Sequence, residues 1–335
     1  MGYGELLKEI ILNKTYLYQK LGHLIQKALS DDDVNEIMVN PDGDIWAKHA
    51  HDGTVMIGMI RQETLSQFVH AFAQSMDAYL NASNPVLDAR LPFNQERIHI
   101  TIPPIVAGIS LNIRKHPKII YTLNDYVQQK IISAHEAAYL SDAIAQRKNI
   151  LVSGSPASGK TTFTNALLDA LAKQSEPGTR VLLLEEVQEL RCAVKNCKPM
   201  KTTDKHDLNY LLWTAMRASP ERIIVGEVRD GAALALLKAW NTGCPGGMAT
   251  IHANSPEAAV QRILDLAMEV TKTPPYGLAA EALDVIVQIE AKPHHSAKRQ
   301  VTGICEVIGF DAQRQQFQFK TISANDEKEI YYEVA

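Results

Sequence analysis

Eight consecutive residues of this chain are suited to holding an anion. Gly154-Ser155-Pro156-Ala157-Ser158-Gly159-Lys160-Thr161 fit the pattern G-x-x-x-x-G-K-[ST], and Thr162 follows them. The glycines let backbone N–H groups turn inward around a phosphate. The N-terminus of a following helix adds partial positive charge. Lys160 is the residue to reach the β- and γ-phosphates of a nucleotide, and the Thr161 hydroxyl is the residue to ligate Mg²⁺. An incidental glycine-rich turn is the competing reading. The buried-strand pattern of 149–153 before the loop, and the helical pattern after it, argue for the phosphate loop.

Two acidic strand ends accompany it. Residues 222–227 form an apolar run ending on Glu227, 67 residues beyond Lys160, and residues 181–186 end in the same way on Glu185-Glu186. In an open parallel sheet, ligands sit at the carboxyl ends of the strands. Glu227 is therefore expected to orient or deprotonate an attacking water, or to hold Mg²⁺ through water. A strand-end acid that caps a neighbouring helix is the alternative, and it weighs more for Glu186 than for Glu227. His252 near a strand end is by itself more often structural. Arg217 and Arg229 are either ion-pair partners or catalytic cations. Arg97 and Arg114 are either a solvated strand face or groups that neutralise charge on a leaving phosphate.

These residues need a scaffold, and the chain supplies two kinds of pattern. The first third mixes helix and strand: helices at 6–29 and 63–80, strands at 36–39, 45–48, 97–102 and 109–114. Pro117 breaks the pattern, so the expected division is an N-terminal α+β domain over 1–115, a linker over 116–130, an ATPase domain over 131–325 and an acidic, fraying tail over 326–335. After a capping box at Ser133–Glu136, strands alternate with helices: 149–153, 160–172, 180–185, 208–218, 222–227, 232–240 and 248–253, with Ser255-Pro256 opening a further helix. Such alternation implies an α/β fold with a parallel sheet.

Composition narrows the function classes. The 335 residues are 46% hydrophobic with net charge −4, which suits a globular chain and argues against a general nucleic-acid coat. Four cysteines are too few and scattered for a disulfide framework, and Cys192, Cys197 and His206 lack the partners that complete a zinc site. The start mixes acid and base without a long apolar core, unlike a signal peptide, and Leu6 stands where a myristoylation signal wants Ser or Thr. No apolar run approaches the ~18 residues that span a bilayer. The expected location is cytoplasmic, with membrane contact through partner proteins.

In order along the chain, the phosphate loop, the box Leu184–Leu190, the strand Ile223–Asp230 and the box Ala249–Asn254 resemble the signatures of the traffic ATPases of type II and type IV secretion. The likeness is strongest to the conjugal-transfer branch of type IV secretion. Residues 239–243, with Gly246-Gly247, and residues 34–43 in the first third extend it to about 21–310. The resemblance implies a RecA-like P-loop NTPase domain preceded by a smaller, PAS-like α+β domain, with ATP and Mg²⁺ as cofactors. It implies Thr161, Glu185 and Glu227 around the metal, and Glu227, Glu185, Glu186, His252, Arg97, Arg114 and Arg217 as catalytic candidates. It also implies a homohexamer that meets inner-membrane components of a secretion channel and a coupling ATPase, without stable direct DNA binding. One departure stands out: the second box of the family usually reads Glu-Asp, and here it is Glu185-Glu186. Pilus-retraction or type II assembly motors, a DNA-stimulated translocase and a nucleotide-gated scaffold are the competing functions. The missing zinc insert, the acidic balance and the intact loop with Glu227 speak against them in turn.

Overall fold

The computed structural model describes residues 14–49, 53–93, 96–115, 120–292, 298–322 and 329–333. The chain divides into two compact units, Met1–Ile119 and Ile120–Ala335.

The first unit is an antiparallel sheet with helices on its apolar face. Its strands are β1 (Val34–Val39), β2 (Asp44–His49), β3 (Gly53–Met59), β4 (Val86–Arg90), β5 (Arg97–Thr101) and β6 (Ser110–Arg114), in the order β3-β2-β1-β6-β5-β4. Period-two alternation sends Ile37, Val39, Ile98, Ile100, Leu111 and Ile113 into one core. There they meet Ile25 and Leu29 of α1 (His23–Ser30), and Leu65, Phe68, Val69 and Phe72 of α2 (Gln62–Ser75). The single helix expected over 6–29 is interrupted. Residues 14–20 are helical, Gly22 turns at φ 79°, and α1 begins after it. A left-handed residue cannot sit inside a right-handed helix, and glycine takes that conformation at little cost. Residues 6–13 of that expectation lie outside the described residues.

The second unit begins inside the stretch expected to be a linker. There α3 (Leu123–Gln128) is opened by a capping box, with the Asp125 amide donating to Thr122 Oγ1 and the Thr122 amide to Asp125 Oδ2. Tyr126 packs from it into the core, edge-on to Phe163 at 5.0 Å between centroids. Next come α4 (Ala134–Ala145), β7 (Ile150–Ser153), α5 (Lys160–Gln174), β8 (Val181–Glu185), β9 (Cys197–Lys201), α6 (Leu208–Ala215), β10 (Arg222–Val225), α7 (Ala232–Asn241) and β11 (Met248–Ile251). The chain ends with α8 (Pro256–Met268), α9 (Tyr276–Ala282), β12 (Val285–Ala291), β13 (Arg299–Asp311), β14 (Gln316–Thr321) and β15 (Glu329–Glu333). The sheet order is β15-β14-β13-β12-β7-β11-β10-β8-β9, parallel from β12 to β9 and antiparallel from β12 to β15. The core strands β7, β8, β10 and β11 are buried along their whole length, as a sheet covered by helices on both faces requires.

One further expectation changes, and one strand is added to those expected. The tail expected to fray carries β15, whose Ile-Tyr-Tyr composition suits a strand and which pairs antiparallel with β14. The edge strand β9 was not read from the sequence because Pro199 interrupts its pattern. Proline and exposed lysines, here Lys198 and Lys201, are what an unpaired edge tolerates.

Candidate functional site

Apart from Arg217, the catalytic and phosphate-binding candidates of the second unit lie at or just beyond the carboxyl end of a parallel strand. The phosphate loop follows β7, His252 follows β11, Glu227 follows β10, and Glu185-Glu186 close β8. These strands are neighbours in the order β7-β11-β10-β8. The side chains meet in that same spatial order. Lys160 Nζ stands 3.0 Å from His252 Nδ1, and His252 Nε2 stands 2.6 Å from Glu227 Oε1. Arg229 Nη2 donates to Glu227 Oε2 at 2.6 Å, and its Nη1 donates to Glu186 Oε2 at 3.2 Å. One line of contact therefore runs Lys160–His252–Glu227–Arg229–Glu186 along the sheet edge.

The protonation pattern follows from donor counting. A lysine ammonium only donates, so His252 Nδ1 accepts from it, and the ring proton is left on Nε2 facing the Glu227 carboxylate. Lys160 is buried and also donates to the carbonyls of Gly154 at 2.9 Å and Ser155 at 3.1 Å. Burial pulls its ammonium down to about 8. The hydrogen bond from Arg229 to Glu227 holds the guanidinium above its ordinary value.

The loop is shaped for an anion. Gly159 caps α5 at φ 99°, and Ala157 also takes positive φ. A methyl carbon on Gly154 would stand 2.2 Å from Ile289 O and 2.6 Å from Ser158 Oγ, so only glycine fits there. Ser158 Oγ is buried with no hydrogen-bond partner among the described residues. A tight loop closed around a buried ammonium, with an unpaired hydroxyl, fits an incoming phosphate. Thr161 and Thr162 sit partly buried in the first turn of α5.

Other candidates are placed differently. Glu185 is buried, and its Oε1 accepts from the amides of Glu189 at 2.8 Å and Leu190 at 2.9 Å, so it shapes the loop after β8. Burial raises its carboxyl. Arg217 lies at the end of α6, its guanidinium 3.9 Å over the exposed Trp213 ring and outside the line of contact. In the first unit, Arg97 and Arg114 are exposed register partners on β5 and β6, directly opposite each other on the polar face of the sheet.

Two supporting residues escaped the sequence reading. Asn165 Oδ1 accepts from the Arg191 amide and its Nδ2 donates to Glu189 O, tying the second box to α5. Its signal was a polar residue within an apolar helix face. Thr250 Oγ1 donates to Gly226 O at 2.6 Å, and the Val228 amide to Thr250 O at 2.9 Å, fixing β11 beside Glu227. Among the described residues no three His, Cys, Asp or Glu side chains are grouped to hold a metal. Cys192 and Cys197 are free thiols. No described helix is long and apolar enough to cross a membrane.

Fold and site together define an α/β protein with a phosphate loop flanked by strand-end acids. The chain belongs to the family described as "Type II/IV secretion system protein", whose profile matches residues 19–329. It is 38% identical over 294 residues to a probable conjugal transfer protein TrbB of Sinorhizobium fredii, spanning 88% of this chain and 89% of the relative. Type IV secretion system protein PtlH of Bordetella pertussis is 29% identical over 313 residues, 82% of this chain and 91% of its own length. Among solved structures, the Legionella pneumophila ATPase DotB superposes with a TM-score of 0.63 at 16% identity, covering 87% of this chain and 80% of DotB, a likeness of fold.

Proposed function

We propose that this chain is an ATP-hydrolysing motor of a type IV secretion or conjugation machine, acting as a homohexamer on pilus assembly or substrate transfer. In this reading the second unit is a RecA-like ATPase core and the first a PAS-like domain. The hexamer works at the cytoplasmic face of the inner membrane, held there by channel components and beside a coupling ATPase. The observation that carries the reading is the line of contact from Lys160 to Glu186 on an intact phosphate loop. Family membership and the TrbB relatives support the choice of machine.

ATP with Mg²⁺ would supply a phosphoryl group for transfer to water. Lys160 is the cation for the β- and γ-phosphates, and it must give up its loop carbonyls and His252 to serve them. The His252 ring then reports through Nδ1 whether Lys160 is engaged, and through Nε2 it hands that state to Glu227. Glu227 is the general base or water-orienting carboxylate, and Arg229 keeps it from swinging away. Thr161 and Glu227 would hold the metal. We assign Glu185 to shaping the loop behind Glu186, because one of its oxygens is already engaged by two amides. Arg97 and Arg114 are retained as phosphate-neutralising candidates.

Lys160→Ala tests the reading. Loss of the principal phosphate cation should abolish phosphate release from ATP by the purified protein. Hydrolysis at the rate of the unaltered chain would show that the loop is not the active site.

A further inference from the structure

One cation beside the phosphate loop is absent from the assignment above. Arg299 opens β13, next to β12, on the side of β7 opposite to β11. A methyl carbon on Gly159 would stand 2.8 Å from Arg299 Nη1 and 3.5 Å from its Cδ and Cζ. The guanidinium therefore lies directly over the last glycine of the loop, at the mouth of α5. The Tyr126 hydroxyl lies close to it, buried and without a hydrogen-bond partner among the described residues. The Tyr126 ring is fixed edge-on to Phe163 in the first turn of α5, and the Val301 amide donates to Ile131 O at 3.0 Å, which ties β13 to the segment after α3. Arg299 is thus aimed at the loop by packed elements on two sides.

The sheet order says which end of a nucleotide this cation meets. The acids and His252 all lie on the β11-β10-β8 side, so the γ-phosphate points that way. The α-phosphate and nucleoside must then extend toward β12 and β13. We propose that Arg299 is a further nucleotide-binding residue, contacting the α-phosphate end of ATP and ADP alike, with Tyr126 as its positioning residue. This rests on the nucleotide reading of the phosphate loop. A planar, permanently charged fork suits a phosphate oxygen, and a lysine in its place would keep the charge and lose the fork.

The consequence is a split that a γ-phosphate residue would not give. Arg299 holds a part of the nucleotide that does not change during hydrolysis, so it contributes uniform binding. Arg299→Ala should weaken ADP and ATP by the same factor, ~10–100-fold for one charge-assisted contact, and raise KM for ATP with kcat changed far less. Arg299→Lys should recover part of the affinity. Tyr126→Phe should show a smaller loss of the same pattern. The experiment is calorimetric titration of the full-length protein with ADP, beside steady-state ATP turnover, with thermal melts to verify folding. If the unaltered chain binds ADP and a folded Arg299→Ala binds it equally well, the inference is wrong. A loss confined to kcat would also overturn it, by moving Arg299 to the γ-phosphate. Failure of the unaltered chain to bind ADP at all would instead strike the nucleotide reading itself.

Discussion

Replacing Glu227 by glutamine separates binding from chemistry, and the contacts around the carboxylate say what to expect. Glu227 spends Oε2 on Arg229 at 2.6 Å and faces His252 Nε2 with Oε1 at 2.6 Å. In Glu227→Gln the amide oxygen must face Arg229, since a guanidinium has no acceptor to offer an N–H. The amide NH₂ is left facing His252, so Nε2 becomes an acceptor and the ring proton moves to Nδ1, where it meets the Lys160 ammonium at 3.0 Å. One substitution therefore removes the base and unsettles the Lys160–His252 contact. Losing a general base reduces turnover by ~10²–10⁴-fold, equivalent to roughly 3–5 kcal/mol in the barrier. Lys160 leaves its apo partners when phosphate arrives, so ATP should still bind. Phosphate release at saturating ATP, ATP titration, and ¹⁵N spectra of labelled histidine would read the three effects separately. Turnover within about tenfold of the unaltered chain would refute the assignment of the base. An unchanged His252 tautomer would refute the donor-counting argument.

Other predictions concern the thiols and the first-unit arginines. The neighbouring Cys197 thiol draws the Cys192 thiol down to about 7, while Cys197 is pushed up. The thiolate fraction rises with pH, so alkylation of Cys192 should climb through about pH 7 and then level off, and Cys197→Ala should move the midpoint up toward ~8.5; a midpoint near 8.5 in the unaltered chain would contradict this. If Arg97 and Arg114 neutralise transition-state charge, alanine at either should lower turnover by ~10³-fold or more. A fragment beginning at Ile120 should be equally impaired. That start keeps α3 and the buried Tyr126, which a fragment beginning at 131 would lose. Turnover by the fragment equal to that of the whole chain would leave the two arginines as solvated strand cations.

Much of the second unit was legible because its signals are local. A parallel strand buried on both faces reads as an unbroken apolar run, and the residue that ends the run marks the ligand edge. That logic located the phosphate loop, Glu227 and the second box. It failed where the governing signal was short or interrupted. The Thr122–Asp125 capping box was present but was overshadowed by Pro117, so α3 was read as linker. β9 was hidden by Pro199, and the break at Gly22 looked like one residue in a continuous helical pattern.

Partnerships were less legible than positions, and the reason is topological. Along the chain the four boxes run 154, 184, 223, 249, whereas along the sheet edge their strands stand β7, β11, β10, β8. The first box is thus beside the last, and the second lies farthest from it. Sequence order pairs Lys160 with Glu185 and Glu186; spatial order pairs it with His252, and reaches Glu186 only through Glu227 and Arg229. Glu185, which the resemblance places at the metal, has one oxygen engaged by two amides of its own loop. The same inversion explains why Arg229, open between structural and catalytic roles in the sequence, takes a place between two carboxylates. On the proposed assignment of Glu227 as the base, a residue in that place acts on the chemistry through the position of Glu227, so whether it is structural or catalytic ceases to be a choice between alternatives.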